Sequence, residues 1–225
     1  MEEDFIVAKV IIDNFFKEKY GIIDVGSHEG DFVKFITSER PAESVIMIEP
    51  LPDKIRILND RFKDAKIYQC AISDSEQDTH MYVTVNFPKC SALYERQAYD
   101  EIKVLNERKK IDVKLRPLAA VLDDANMFDA EVNEWYLKVD TEGYELETIR
   151  SAGKYLSSGK IKAGQFEYGG CWKERGLKIN DMIDLLNLHG FTSYRAVFHQ
   201  NELHMVEVNR QQDDYQHTNI FFIKK

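Results

Sequence analysis

Residues 22–31 read Ile22-Ile23-Asp24-Val25-Gly26-Ser27-His28-Glu29-Gly30-Asp31. An apolar run from Gly21 to Val25 ends in glycine and then in small and polar residues. A new apolar pattern, Phe32, Val33, Phe35 and Ile36, follows at once. This order predicts a buried strand, a tight turn and a helix. Gly26 and Gly30 carry no Cβ, so the backbone can turn there and a ligand can approach closely. Asp31 is placed to cap the helix. The free N–H groups of the helix N-terminus can meet a carboxylate or a phosphate.

The glycine spacing discriminates among ligands. A dinucleotide fingerprint needs G-x-G-x-x-G. Here the glycines stand as Gly26-x-x-x-Gly30, with Asp24 two residues before the first. A carboxylate at that point suits the ammonium of a methionine moiety and repels a pyrophosphate. The glycines alone mark any strand–turn–helix corner, and later residues narrow the meaning. Val45-Ile46-Met47-Ile48 predicts a second parallel strand ending in Glu49-Pro50. Glu49 lies 23 residues after Gly26 (49 − 26), where Rossmann-like sheets grip a ribose diol. Its two acceptor oxygens match two adjacent hydroxyls. A helix over 52–62 precedes a third strand, 66–72, whose exit at Ala71-Ile72 lies beside the base of such a ligand. Asp74 holds the turn that follows.

The second informative stretch is Trp135-Tyr136-Leu137-Lys138-Val139-Asp140-Thr141-Glu142-Gly143-Tyr144-Glu145. An apolar strand ends in Asp140, and a helix follows to about Leu156. Ligands of open α/β sheets sit beyond the carboxyl ends of the strands, so Asp140 faces the ligand. Glu145 serves the helix N-terminus. The fifth strand, Ile161 to Glu167, again ends in an acid. Residues 4–19 predict an amphipathic helix, with Phe5, Ala8, Ile12 and Phe15 on one stripe that Val7, Ile11 and Phe16 widen. Strands are expected at 80–85 and 111–116, and Leu118–Asp124 reads as a short helix or turn. Between them, Tyr94, Ala98, Ile102 and Leu105 keep helical spacing, as in an insertion over a pocket mouth. The chain closes with a helix, a Gly190 cap and strands near 191–198, 203–208 and 219–223. Two of these follow one another with no helix between, which predicts an antiparallel pair at the sheet edge.

Composition limits the function classes. The 225 residues carry a formal net charge of −9 and are 44% apolar. The densest basic cluster, Arg108-Lys109-Lys110, reads as a solvated face. A duplex nucleic-acid partner is therefore not expected, since neutralising phosphates needs a basic surface. Cys70, Cys90 and Cys171 are odd in number and form no C-x-x-C, which suits reduced thiols in a cytoplasmic protein. No membrane span and no signal peptide are expected. No repeat or linker is evident, so residues 1–225 read as one domain, with an N-terminal helix over 1–20 and an insertion over 86–118.

These stretches together resemble the FkbM-type methyltransferases, a branch of the class I, S-adenosylmethionine-dependent superfamily. The resemblance rests on Ile23 to Gly30, Ile48-Glu49-Pro50, Ala71-Ile72-Ser73-Asp74, Leu122-Asp123-Asp124, Leu137 to Glu145 and Phe166-Glu167. It implies a Rossmann-like α/β sandwich with a mostly parallel seven-stranded sheet and an antiparallel edge strand. It also implies S-adenosyl-L-methionine as methyl donor and a hydroxyl oxygen of a sugar, glycan or other small acceptor as target. Asp24, Gly26, Ser27, His28, Gly30, Glu49, Pro50, Ala71, Ile72 and Asp140 are the expected donor-binding residues. His28 stands where the family more often has asparagine. A hydroxyl acceptor must lose a proton, and Asp140, Glu142, Glu167 and His28 are the candidate bases, Asp140 first. Asp140, Glu142 and Glu167 could also hold Mg²⁺, although no ligand motif singles out a metal. A non-catalytic donor-binding module and an RNA- or cap-directed enzyme are the alternative readings.

Overall fold

The computed structural model of the chain describes residues 2–17, 19–86, 90–96, 107–128, 131–200, 202–208 and 214–225. Its main sheet has eight strands. In chain order they are β1 (Gly21–Val25), β2 (Ser44–Ile48), β3 (Lys66–Tyr68), β7 (Trp135–Val139), β8 (Ile161–Tyr168), β9 (Phe191–His199), β10 (Glu202–Glu207) and β11 (Thr218–Lys224). They lie side by side as β10-β9-β11-β8-β7-β1-β2-β3. Strands β3, β2, β1, β7 and β8 run parallel. Strand β11 inserts antiparallel between β8 and β9, and β10 closes the edge antiparallel to β9. One strand more is present than the seven expected, because the predicted edge hairpin adds to the sheet. The central strands are continuous apolar runs because both sheet faces are covered.

One face carries α1 (Glu2–Phe15), α2 (Asp31–Ile36) and α3 (Pro52–Arg61). Val7, Ala8, Ile11 and Ile12 form the inward stripe of α1, whereas Phe15 is 61% exposed. Phe16 takes the inward place at the end of that stripe, so Phe15 alone departs from the expected face. Gly30, not Asp31, occupies the N-cap of α2; the Asp31 carboxylate instead faces Arg61 Nη2 at 3.2 Å. The other face carries α4 (Leu118–Asp124), α5 (Glu145–Ser151), α6 (Lys154–Ser157), α7 (Gly170–Glu174) and α8 (Ile179–Leu188). The single helix expected over 144–156 breaks at Gly153, where φ is +49°. No helix among the described residues is long and apolar enough to cross a membrane.

A second sheet, ordered β4-β6-β5, stands beside the first. It joins β4 (Ala71–Ile72), β5 (Gln77–Thr84) and β6 (Arg108–Arg116). The expected third strand is therefore two strands in two sheets. Ala71 and Ile72 leave β3's neighbours and pair with Leu115 and Arg116. Arg108-Lys109-Lys110 begins β6, with both lysines exposed. Residues 91–96 are not helical but carry an Ala92–Tyr82 bridge; Ala98, Ile102 and Leu105 lie outside the described residues.

The chain reverses its strand order between β1 and β7, which is where such sheets open a ligand crevice. Gly26 (φ +77°) permits that closure: a Cβ there would fall 1.8 Å from the Asp140 carbonyl oxygen. A Cβ built on Gly176 (φ +66°) would meet nothing within 4 Å. Gly176→Ala should cost only the backbone penalty of about 1–2 kcal/mol. Gly26→Ala adds a backbone clash to that penalty and should unfold the protein at markedly lower urea; equal midpoints for the two variants would contradict this account.

Candidate active site

The carboxyl ends of β2, β1, β7 and β8 open on one cavity of about 410 Å³. Lys138 fixes how they meet. Asp24 and Lys138 are paired in the β1–β7 register, so their side chains share a face of the sheet. Lys138 Nζ lies 3.2 Å from Asp24 Oδ1 and 3.4 Å from Asp140 Oδ2. It also donates to the Gly26 carbonyl at 3.2 Å. Burial works to lower the Lys138 pKa, but the Asp24 and Asp140 carboxylates outweigh it and hold the ammonium charged. Burial raises the Asp24 carboxyl despite Lys138.

Asp24 is fully buried and is not part of the cavity wall. Asp24 is expected from sequence to meet a ligand ammonium; in the structure the cation beside it is Lys138. Ser27 lines the cavity but its hydroxyl is engaged within the fold. It donates to the Asp24 carbonyl at 2.7 Å and accepts the Ile48 N–H at 3.2 Å, splicing β1 to β2. Gly26 lines the cavity; Gly30 does not. A Cβ at Gly30 would strike the Phe62 ring at 2.3 Å, so that glycine admits a packed side chain rather than a ligand.

His28, at φ +48°, lines the cavity, and its backbone N–H donates to Glu49 Oε2 at 2.8 Å. The other Glu49 oxygen accepts the Leu51 N–H at 3.0 Å. Burial pushes Glu49 up to about 7, against these two N–H donors. Pro50, Ala71 and Ile72 line the cavity, and Leu51, Met81 and Leu93 extend the same apolar wall.

Asp140, Glu142 and Glu167 come together at the opposite end, with one carboxylate oxygen of each within 4.8 Å of the others. Glu142 sits at φ +54° and accepts from Arg96 Nη1 at 2.5 Å. Burial, then the Asp140 charge, pushes Glu142 up to about 7. Burial and the charges of Asp140 and Glu142 push Glu167 well above the usual carboxylate range. His217 Nε2 lies 3.4 Å from Glu167 Oε1. Three such oxygens are suitable donors for a hard divalent ion, yet Lys138 and Arg96 already place positive charge on two of them. Glu145 is wholly buried, as a support for the loop. Its Oε1 accepts the Thr141 and Gly143 N–H groups at 2.9 and 3.0 Å, and Oε2 accepts Trp172 Nε1 at 2.9 Å.

Lys138 and Arg96 were not singled out from sequence, although Lys138 had a signal. A lysine inside the apolar run Trp135–Val139 must find a partner when its strand is buried. Arg96, His217 and the α1 residue Asp4, which also lines the cavity, had none, because each reaches the site from a separate loop or helix.

The family model of the methyltransferase FkbM domain matches residues 24–193, more than half of the chain. No curated protein sequence matches. Among solved structures, a methyltransferase FkbM from Methylobacillus flagellatus KT superposes with TM-score 0.52 at 14% identity, covering 92% of this chain and 44% of that one. This chain thus spans less than half of that protein's length. A precorrin-6y C5,15-methyltransferase from Geobacter metallireducens GS-15 gives TM-score 0.49 at 10% identity, covering 99% and 88%. A TehB-like SAM-dependent methyltransferase from Corynebacterium glutamicum ATCC 13032 Kitasato gives 0.47 at 11%, covering 100% and 94%. The first of these shows the fold to be that of the class I methyltransferases.

Glu49 and Glu142 bind protons more tightly in the fold than in the unfolded chain. That favours the fold fully below about pH 4.5, and the contribution is lost as pH rises through about 7. For Glu49 the change is on the order of 3 kcal/mol. The urea midpoint should therefore fall between pH 5 and pH 8, and Glu49→Gln should flatten that fall; an unchanged slope in the variant would contradict the assignment.

Proposed function

Because the chain belongs to the FkbM methyltransferase family, we propose that it transfers the methyl group of S-adenosylmethionine to a hydroxyl oxygen of a small-molecule or glycan acceptor. The observation that carries this reading is the convergence of Glu49, Asp140, Glu142 and Glu167 on one cavity at the strand ends. The lining fits the donor's chemistry. Each Glu49 oxygen accepts one backbone N–H and keeps acceptor capacity for a vicinal diol. The Leu51–Ile72–Met81 wall suits a purine, and the excess of carboxylates suits a sulfonium cation.

The donor supplies an already activated methyl group, so the protein's tasks are alignment and removal of a proton. Glu142 and Glu167 crowd one another, and such a pair holds one proton between them because both cannot easily ionise. The member left ionised takes the acceptor's hydroxyl proton on a carboxylate oxygen. An acid whose pKa lies near the working pH suits that role. Asp140, held by Lys138 at the cavity wall, orients the reacting groups. This ordering moves the base from Asp140, the first candidate from sequence, to the Glu142–Glu167 pair.

Incubation with labelled S-adenosylmethionine and a panel of hydroxyl acceptors, read by mass spectrometry, tests the reading. A methylated product is expected. The double variant Glu142→Gln/Glu167→Gln should lower turnover about 10²- to 10⁴-fold with S-adenosylhomocysteine binding largely retained, whereas Asp140→Ala, which strips Lys138 of a partner, should lose turnover and weaken donor binding together. Full turnover in the double variant would place the base elsewhere. Donor binding with no product from any acceptor would favour the non-catalytic module.

A further inference from the structure

The 410 Å³ inner cavity is toward the low end of the roughly 300–1,000 Å³ that enclose one drug-sized ligand. With the methyl donor inside, the body of the acceptor must lie elsewhere. A second, wider groove of about 1080 Å³ runs between α1, α2 and the sheet end formed by β9 and β11. Asp4, Phe5, Asp31, His217 and Asn219 line both spaces, so the two meet across these side chains. The junction adjoins the acids: His217 lies 3.4 Å from Glu167.

The groove has a definite chemistry. Phe5, Phe35 and Phe198 offer ring surface along it, and Phe198 is 42% exposed. Glu3, Asp4 and Asp31 bring three carboxylates. Asp31 shares its charge with Arg61, while Asp4 is half-buried and hydrogen-bonded to the Asn219 side chain. Lys34 is the only lysine or arginine of this wall among the described residues. Further in stand Asp140, Glu142 and Glu167. Lys34, Arg61, Lys138 and Arg96 offset only part of this negative charge, so an anion entering here would meet an excess of carboxylates and a cation would gain from it.

We propose that this outer groove is the acceptor site and that it selects an acceptor with an aromatic or other flat apolar face and a basic amine, excluding carboxylate- and phosphate-bearing analogues. The assignment rests on the methyl-donor reading of the inner cavity. The ring surfaces seat the flat face, and Asp4 with Glu3 receives the ammonium.

Three phenols of one shape but different charge test it: tyramine, tyrosol and para-hydroxyphenylacetate. Their binding to the full chain saturated with S-adenosylhomocysteine can be followed by saturation-transfer NMR. Tyramine should bind about tenfold more tightly than para-hydroxyphenylacetate, with tyrosol between them, and added salt should flatten the series. Asp4→Asn should compress the series and Phe198→Ala should weaken all three alike. Equal binding of amine and acid, a series unchanged in Asp4→Asn, or no binding of any of the three would overturn the assignment. S-adenosylhomocysteine affinity, measured first and alone, separates the two layers. If it binds and the series fails, only the groove assignment falls; if it does not bind, the donor reading falls and takes the groove with it.

Discussion

The contact on which the site depends is the buried ammonium of Lys138 between Asp24 and Asp140. A lysine in a central strand is tolerable only when paired, and removing one member of a buried pair costs about 3–5 kcal/mol. Here the pairing also sets geometry. Asp24 belongs to β1, Asp140 follows β7, and the Gly26 carbonyl that Lys138 also grips begins the turn after β1. One cation thus draws the ends of both strands together at the point where the sheet changes direction. The Cβ-less Gly26 lets the two backbones come that close.

Around this centre the charge balance is uneven. Glu49, Glu142 and Glu167 face the same space with few cations, and all three carboxyls are pushed upward, burial being the first cause. A folded protein keeps such a cluster only at a cost in stability. The cost is consistent with binding a positively charged partner and moving a proton, the two tasks proposed for the cavity. Glu145, buried beside them, has its oxygens occupied by backbone and indole N–H groups. That separates an acid holding a loop from acids lining the cavity.

Much of the fold is legible in the residues. Strands β1, β2, β7 and β8 are buried on both faces and therefore appear as short apolar runs, each broken by the acid or glycine that begins the site. Where sequence reading departs from the structure, the cause is a partner distant in the chain. Ala71 and Ile72 continue the run of β3 but pair with β6, more than forty residues later. Asp24 suggests a ligand contact until the β1–β7 register places Lys138 opposite it. Gly30 resembles Gly26 locally, yet Phe62 fills the space beside it. Asp4, His217 and Asn219 meet because β11 inserts beside β8, a topology that no local pattern encodes. Glu49, Pro50, Ala71, Ile72 and the three clustered acids were legible because each lies at a strand end or exit.

Isothermal titration of the full chain with S-adenosylhomocysteine, with NAD as the control, asks whether these strand ends form a methyl-donor site. One saturable site for S-adenosylhomocysteine, none for NAD and a marked loss of affinity in Glu49→Gln are expected. Absence of S-adenosylhomocysteine binding, or binding indifferent to Glu49→Gln, would overturn the donor reading.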